Sequence, residues 1–174
     1  MLRILAQRVP FTDAASRIKQ DWFVFLSDIA NAVNKRSTQA SAAASEVTGT
    51  TDETSLATIN VGPYSTGSVV LTMATTCTNN ANAKTITIKI NGTTAQSWSL
   101  DASTDTQTIG AVIVWRSASS LYVVPSSAHN CAPSGGQEVA VTSGSNLQIE
   151  ISGTLALFND SVRLEAWAMD VSAI

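Results

Sequence analysis

The chain of 174 residues suits one domain with an appendage, or two very small domains. Charged residues make up 13% of it, half the ~25% of an average soluble chain, and the formal net charge is -3. Ser and Thr fill that gap while Ile, Val, Leu and Trp recur at regular spacing, which excludes a disordered chain and describes a solvated β surface.

The charge is uneven. Arg3, Arg8, Arg17, Lys19, Lys35 and Arg36 stand against only Asp13, Asp21 and Asp28 in the first 36 residues, and the remainder is acidic. This is either chance or the mark of an N-terminal part that docks on an acidic partner. Nucleic acid is excluded as a partner, because the large acidic segment carries no basic, aromatic-interleaved stretch. The opening "MLRILAQRVPF" reads as no secretion signal, and no apolar run approaches the ~20 residues of a membrane span.

Residues 1–34 read as an arm followed by an amphipathic helix. Thr12 is a plausible N-cap, with Asp13 favouring the positive end of the helix dipole. Ile18, Trp22, Phe25 and Ile29 follow at spacings of four and three, and Leu26 and Val33 broaden the stripe. A helix this apolar packs on the β region of its own chain, on its copies, or on another protein. Residues 35–50 are small and polar and read as a linker.

Residues 51–174 read as strands throughout. The expected strands are 54–61, 67–76, 84–91, 94–100, 106–116, 120–124, 136–142, 146–152 and 161–171, punctuated by Gly, Pro, Asn and Ser clusters. "KTITIKINGTTAQSWSL" is the clearest element. Ile86, Ile88 and Ile90 share one face, Thr85, Thr87 and Lys89 the other, and Asn91-Gly92 turns the chain into a run holding Trp98 and Leu100. Short strands at this spacing, with no helical pattern between them, give a mostly β fold built as a sandwich or barrel.

Two strands are apolar on both faces. In 106–116, Ile109, Ala111, Ile113 and Trp115 oppose Val112 and Val114. In 161–171, Val162, Leu164, Ala166 and Ala168 are expected to oppose Trp167, Met169 and Val171. A sandwich buries one face of each sheet, so Val112, Val114, Trp167 and Met169 need a second cover. Either the helix or linker folds back over them, or they form a subunit interface.

The search for chemistry returns no catalytic, cofactor or metal set. His129 is the single histidine, in a turn-rich loop beside Cys131 with no orienting acid nearby, and reads as chemically dispensable. Cys77 and Cys131 are too few for a disulfide framework and read as buried thiols, with one bridge left open. Asp101 with Asp105 and Glu150 with Glu165 are the carboxylate pairs a glycosidase would need, and surface solvation explains them more simply. Asp52-Glu53 lacks calcium-loop spacing, and "GTTDET" and "PSGGQ" lack the strand-loop-helix context of a phosphate site.

"GTTDETSLATINV" together with "GSVVLTMATTCTNNANAKTITIKINGTTAQSWSL" resembles a jelly-roll domain that recurs in tailed-bacteriophage virion proteins. The cues are a first strand T-x-E-T-x-L-A-x-I and the later T-N-N-A-N-x-K-T-I-x-I-K-I-x-G. "SGSNLQIEISGTLALFNDSVRLEAWAMDV" resembles that domain's closing strands, and "VPFTDAASRIKQDWFVFLSDIANAV" is similar to the N-terminal segment of phage fibre and capsid-associated proteins. The resemblance implies a jelly-roll β-sandwich that forms a trimer of the tumour-necrosis-factor type, with Val112, Val114, Trp167 and Met169 at the trimer interface. It implies attachment to capsid or tail proteins through Ile18, Trp22, Phe25, Leu26, Ile29 and Val33. The expected role is a capsid decoration or cement protein, assembled in the host cytoplasm and residing in the virion. The alternative is a short tail-fibre or tail-tip adhesin whose loops, such as 125–136, bind a host glycan.

Overall fold

The computed structural model describes residues 22, 24–26, 29, 36–102, 105–127 and 131–173. The chain divides into two compact units, Met1–Ser37 and Thr38–Ile174. In the first, Trp22, Val24, Phe25, Leu26 and Ile29 are helical. The Trp22 and Phe25 rings meet edge to face at 5.7 Å, as the three-residue spacing on one stripe requires. Leu26 on the same helix is exposed.

The second unit is a jelly-roll sandwich of two antiparallel sheets. The strands are β1 (Arg36–Ser41), β2 (Ser45–Thr48), β3 (Thr54–Val61), β4 (Gly67–Cys77), β5 (Lys84–Ile90), β6 (Thr93–Ser99), β7 (Gln107–Ser117), β8 (Ser120–Ser127), β9 (Ala132–Pro133), β10 (Gln137–Ala140), β11 (Leu147–Leu155) and β12 (Ser161–Ala173). One sheet is seven-stranded, in the order β1-β12-β4-β7-β8-β10 with β2 also on β12. The other is five-stranded, in the order β3-β11-β5-β6-β9. β1 and β2 correct the linker expected over 35–50. Their short, small-residue sequences carry little pattern of their own, and β2 is held by backbone pairing to the edge of β12, Val47 opposite Val162.

The core lies between the sheets. Ile86, Ile88 and Ile90 of β5 are fully buried, and so are Ile149 and Ile151 of β11, which pair with Ile90 and Ile88. From the other sheet, Val69, Leu71 and Met73 of β4 and Ile109, Ala111 and Ile113 of β7 close the layer. Each such large side chain removed from water contributes about 1.5–3 kcal/mol gross. The β5–β6 hairpin turns at Asn91-Gly92, both at positive φ (50° and 80°), the geometry for which Asn and Gly are suited. Gly153 on β11 has a different reason. A Cβ there would lie 2.7 Å from Val162 Cγ1 and 3.1 Å from Val47 Cγ2, so only glycine lets the two sheets approach.

β12 departs from the expected faces. Its pairing to β4 slips between Leu164 and Ala166, placing Glu165 in a β-bulge. Before the bulge Val162 and Leu164 point inward. After it the parity reverses, so Trp167, Met169 and Val171 lie opposite Met73, Leu71 and Val69 on the inner face. Met169 is 1% exposed and Trp167 packs partly against the core, so both leave the outward-facing set to which the alternation assigned them.

Candidate functional site

The outer face of the seven-stranded sheet is the most distinctive surface of the second unit. Val70 on β4 lies directly opposite Val112 on β7, and Val112 lies directly opposite Val124 on β8. Directly opposed residues share a face, so the three valines form one row across three neighbouring strands. Val70 and Val124 are 43% and 44% exposed. A second row runs beside it, Val114 opposite Tyr122, with Val114 37% exposed.

A polar margin borders this patch. Val114, Arg116 and Tyr122 line a shallow depression of 460 Å³. The Arg116 guanidinium lies 5.5 Å from the centre of the Tyr122 ring and 3.4 Å from Glu138 on β10. Ser120 donates to the same carboxylate. On the far side Asp170 of β12 sits opposite Val70 and accepts from the Thr38 hydroxyl at 2.6 Å. An apolar centre with a charged rim is the layout of a contact surface.

A second feature lies at the loop between β11 and β12. Asp160 is buried and accepts from Asn80 Nδ2 at 2.6 Å and Asn82 Nδ2 at 2.9 Å. The buried Lys84 ammonium donates to Asn80 O, Asn80 Oδ1 and Asn82 O, using all three of its protons. The Asn80 hydrogen bond holds the Asp160 carboxyl below its ordinary range. Burial opposes this, while Asn82 and the Lys84 charge assist. Backbone bonds from Gly49 N to Phe158 O and from Ala156 N to Ala83 O complete the stitching of three loops. On this fixed base Phe158 stands 69% exposed, with Leu157 beside it.

Val112 and Val114 lie on the outer face as expected, joined there by Val70, Val124 and Tyr122, which the sequence reading did not single out. Alternation along β4 and β8 carries that signal, but only sheet order shows that the valines align. Among the attachment residues, Trp22, Phe25 and Ile29 are partly buried helical residues, and Ile18 and Val33 lie outside the described residues. His129 also lies outside them.

Cys131 is buried, as the reading of buried thiols expected, and its thiol donates to Gln107 Oε1 at 2.8 Å. The Glu150–Glu165 pair is not formed, because Glu150 is on the five-stranded sheet and Glu165 on the other. Glu165 accepts from Thr76 at 2.7 Å and lies 3.3 Å from Arg163. Asp101 and Asp105 are exposed in one loop. Glu53 is engaged by Lys89 at 2.7 Å and by Ser152 rather than standing ready for calcium. Among the described residues no group of three His, Cys, Asp or Glu side chains is arranged to hold a metal, and no helix is long and apolar enough to cross a membrane.

No family model matches the chain, and no curated protein matches it. Solved structures with a similar arrangement of strands include carbohydrate-binding and lectin modules. The C-terminal domain of the sugar-binding protein EclA is 9% identical at a TM-score of 0.44, covering 75% of this chain and 79% of its own. A CBM36 domain of a xylanase from the hindgut metagenome of Trinervitermes trinervoides is 12% identical at 0.42, covering 74% and 78%. The CBM2 module of the Lactobacillus casei BL23 phage J-1 evolved Dit is 11% identical at 0.35, covering 63% and 64%. Likenesses this distant carry no argument about ligand, partner or source.

Proposed function

We propose that the chain is a structural virion protein, a homotrimeric capsid decoration or cement protein anchored by its N-terminal segment. The observation that supports this reading is the valine row Val70–Val112–Val124. The outer face of a two-layer sandwich normally meets water, and a contiguous apolar patch there calls for a cover. A second and third copy supply it without any further protein, and the Arg116–Glu138 and Asp170 margins fix the register. Burial of three such side chains contributes about 1.5–3 kcal/mol each before the cost of association.

Sedimentation of the full chain tests the first half. The expected result is a trimer that a Val112→Asp, Val124→Asp double variant converts to monomer. A monomeric parent chain, or a variant that stays trimeric, overturns it. Attachment is tested by deleting residues 1–34. The truncated protein is expected to fold and to stay off the particle, and normal incorporation overturns that assignment.

The adhesin reading keeps one specific observation in its favour, the pair Leu157 and Phe158. An exposed aromatic ring on a loop tied down by backbone hydrogen bonds suits stacking on a sugar ring. Copy number separates the two roles. A decoration protein is present at a level comparable with the major capsid protein, and an adhesin at the level of tail-tip proteins. Under the adhesin reading Phe158→Ala abolishes attachment to host cells, and unchanged attachment removes it.

A further inference from the structure

Two thiols meet one carboxamide where β4 ends and the chain approaches β9. Cys131 Sγ donates to Gln107 Oε1 at 2.8 Å, and Gln107 Nε2 reaches Cys77 Sγ at 3.7 Å. A carboxamide's oxygen and nitrogen are about 2.3 Å apart, so the two sulfurs contact the two polar atoms of a single small group. The Asp101 backbone touches both: its carbonyl accepts from Cys77 Sγ at 3.3 Å, and it hydrogen-bonds to Cys131. Neither cysteine is in a disulfide in this structure.

We propose that Cys77 and Cys131 are a latent disulfide, closed by a small disulfide oxidant such as glutathione disulfide. Cys77 is partly exposed and is the point of entry. Its thiolate attacks one glutathione sulfur, forming a mixed disulfide and releasing one glutathione thiolate. Cys131 gives up its proton and attacks Cys77 Sγ, forming the Cys77–Cys131 bond and releasing the second glutathione. Two protein thiols are thereby oxidised and one glutathione disulfide is reduced to two glutathiones. Burial pushes the Cys131 thiol above its ordinary range, with the Asp101 and Cys77 charges acting the same way. Cys131 is therefore the second thiol to react rather than the first.

The surroundings are arranged to survive the change. Oxidation removes the thiol proton that Gln107 Oε1 accepts, yet Asp101 N still donates to that oxygen at 3.2 Å. Gln107 Nε2 still donates to Asp101 O at 2.9 Å. Neither end of the Gln107 carboxamide is left without a partner. The bond is also well placed mechanically. Cys77 closes β4 of the seven-stranded sheet, and Cys131 directly precedes β9, whose Ala132 and Pro133 pair with β6 of the five-stranded sheet. It staples one sheet to the other and closes a loop of about 50 residues. The inference does not depend on the virion reading. Under that reading, the bond forms when particles leave a reducing cytoplasm for an oxidising exterior.

The test is oxidation of the purified full chain with glutathione disulfide, followed by peptide mapping without reduction. The expected product is one internal cross-link joining the Cys77 and Cys131 peptides, with an intact mass lower by about 2 Da. The melting temperature is expected to rise by about 5–15 °C and to fall back with dithiothreitol. Cys77→Ser is expected to abolish the reversible rise. Separate glutathione adducts on the two cysteines, or cross-links only between chains, overturn the proposal. So does an internal bond with no reversible change in melting temperature, because the staple would then constrain nothing.

Discussion

The outer faces of the two sheets invert one another. On the five-stranded sheet, Thr85, Thr87 and Lys89 of β5 share the outer face with Ser152 and Glu150 of β11, where Thr87 and Ser152 are covered. Glu53 folds across them to bond Lys89 and Ser152. On the seven-stranded sheet the corresponding surface is Val70, Val112, Val114 and Val124, with ions only at its margins. Both sheets share one core and the same strand geometry, so the difference is not required for folding. A face that satisfies itself with hydroxyls and an ion pair is finished as a monomer surface. A face of valines is not, and under the proposed function it is the side on which this molecule meets another copy.

The largest expected effect concerns which residues belong to the inside. Met169→Ala should cost about 2–5 kcal/mol in denaturant unfolding, because the bulge at Glu165 turns that side chain into the core. A cost near zero would return Met169 to the outer face and widen the apolar patch. Next comes the patch itself. Val112→Asp should weaken self-association by roughly tenfold to a hundredfold or more while changing monomer stability little. Thr85→Asp, on the opposite sheet, should leave association untouched. Equal effects from the two variants would erase the contrast.

The Glu53–Lys89 pair should matter less to stability, below about 1 kcal/mol, since both groups remain in contact with solvent. Its pH dependence has a definite sign. Burial disfavours the charged Glu53, but the Lys89 and Ser152 hydrogen bonds and the Lys89 charge outweigh it and hold its carboxyl low. The contribution is therefore present above the unfolded value near ~4.3 and lost as pH falls through the folded one. The Glu53 hydrogen bond holds Lys89 high, so its share is present below ~10.4 and lost as pH rises through the folded value. A Glu53→Gln variant should flatten the acid arm slightly, and an unchanged acid arm would show that the pair contributes nothing. Smallest of all, Phe158→Ser should shift stability by less than about 0.5 kcal/mol, because the ring already stands in water. A larger loss would mean that the ring has a structural role.

Much of this architecture was readable in one dimension. Period-two alternation located β5 within a residue, Asn91-Gly92 identified the hairpin, and the double-sided apolarity of 106–116 pointed to the valines now seen on the outer face. These are local properties, because alternation and turn chemistry are carried by neighbouring residues. Partner choice is not local. β1 and β2 exist because β12 offers them an edge, and the bulge at Glu165 has no composition of its own yet reverses every side chain after it. The four contacts that most define the chemistry of this molecule join residues far apart in the chain: Val70 to Val112, Val112 to Val124, Asn80 to Asp160, and Cys131 to Gln107. The sequence alone determined that there would be strands with an inside and an outside. Tertiary pairing decided which apolar residues shared a face and which thiols became neighbours, because both depend on sheet order and register.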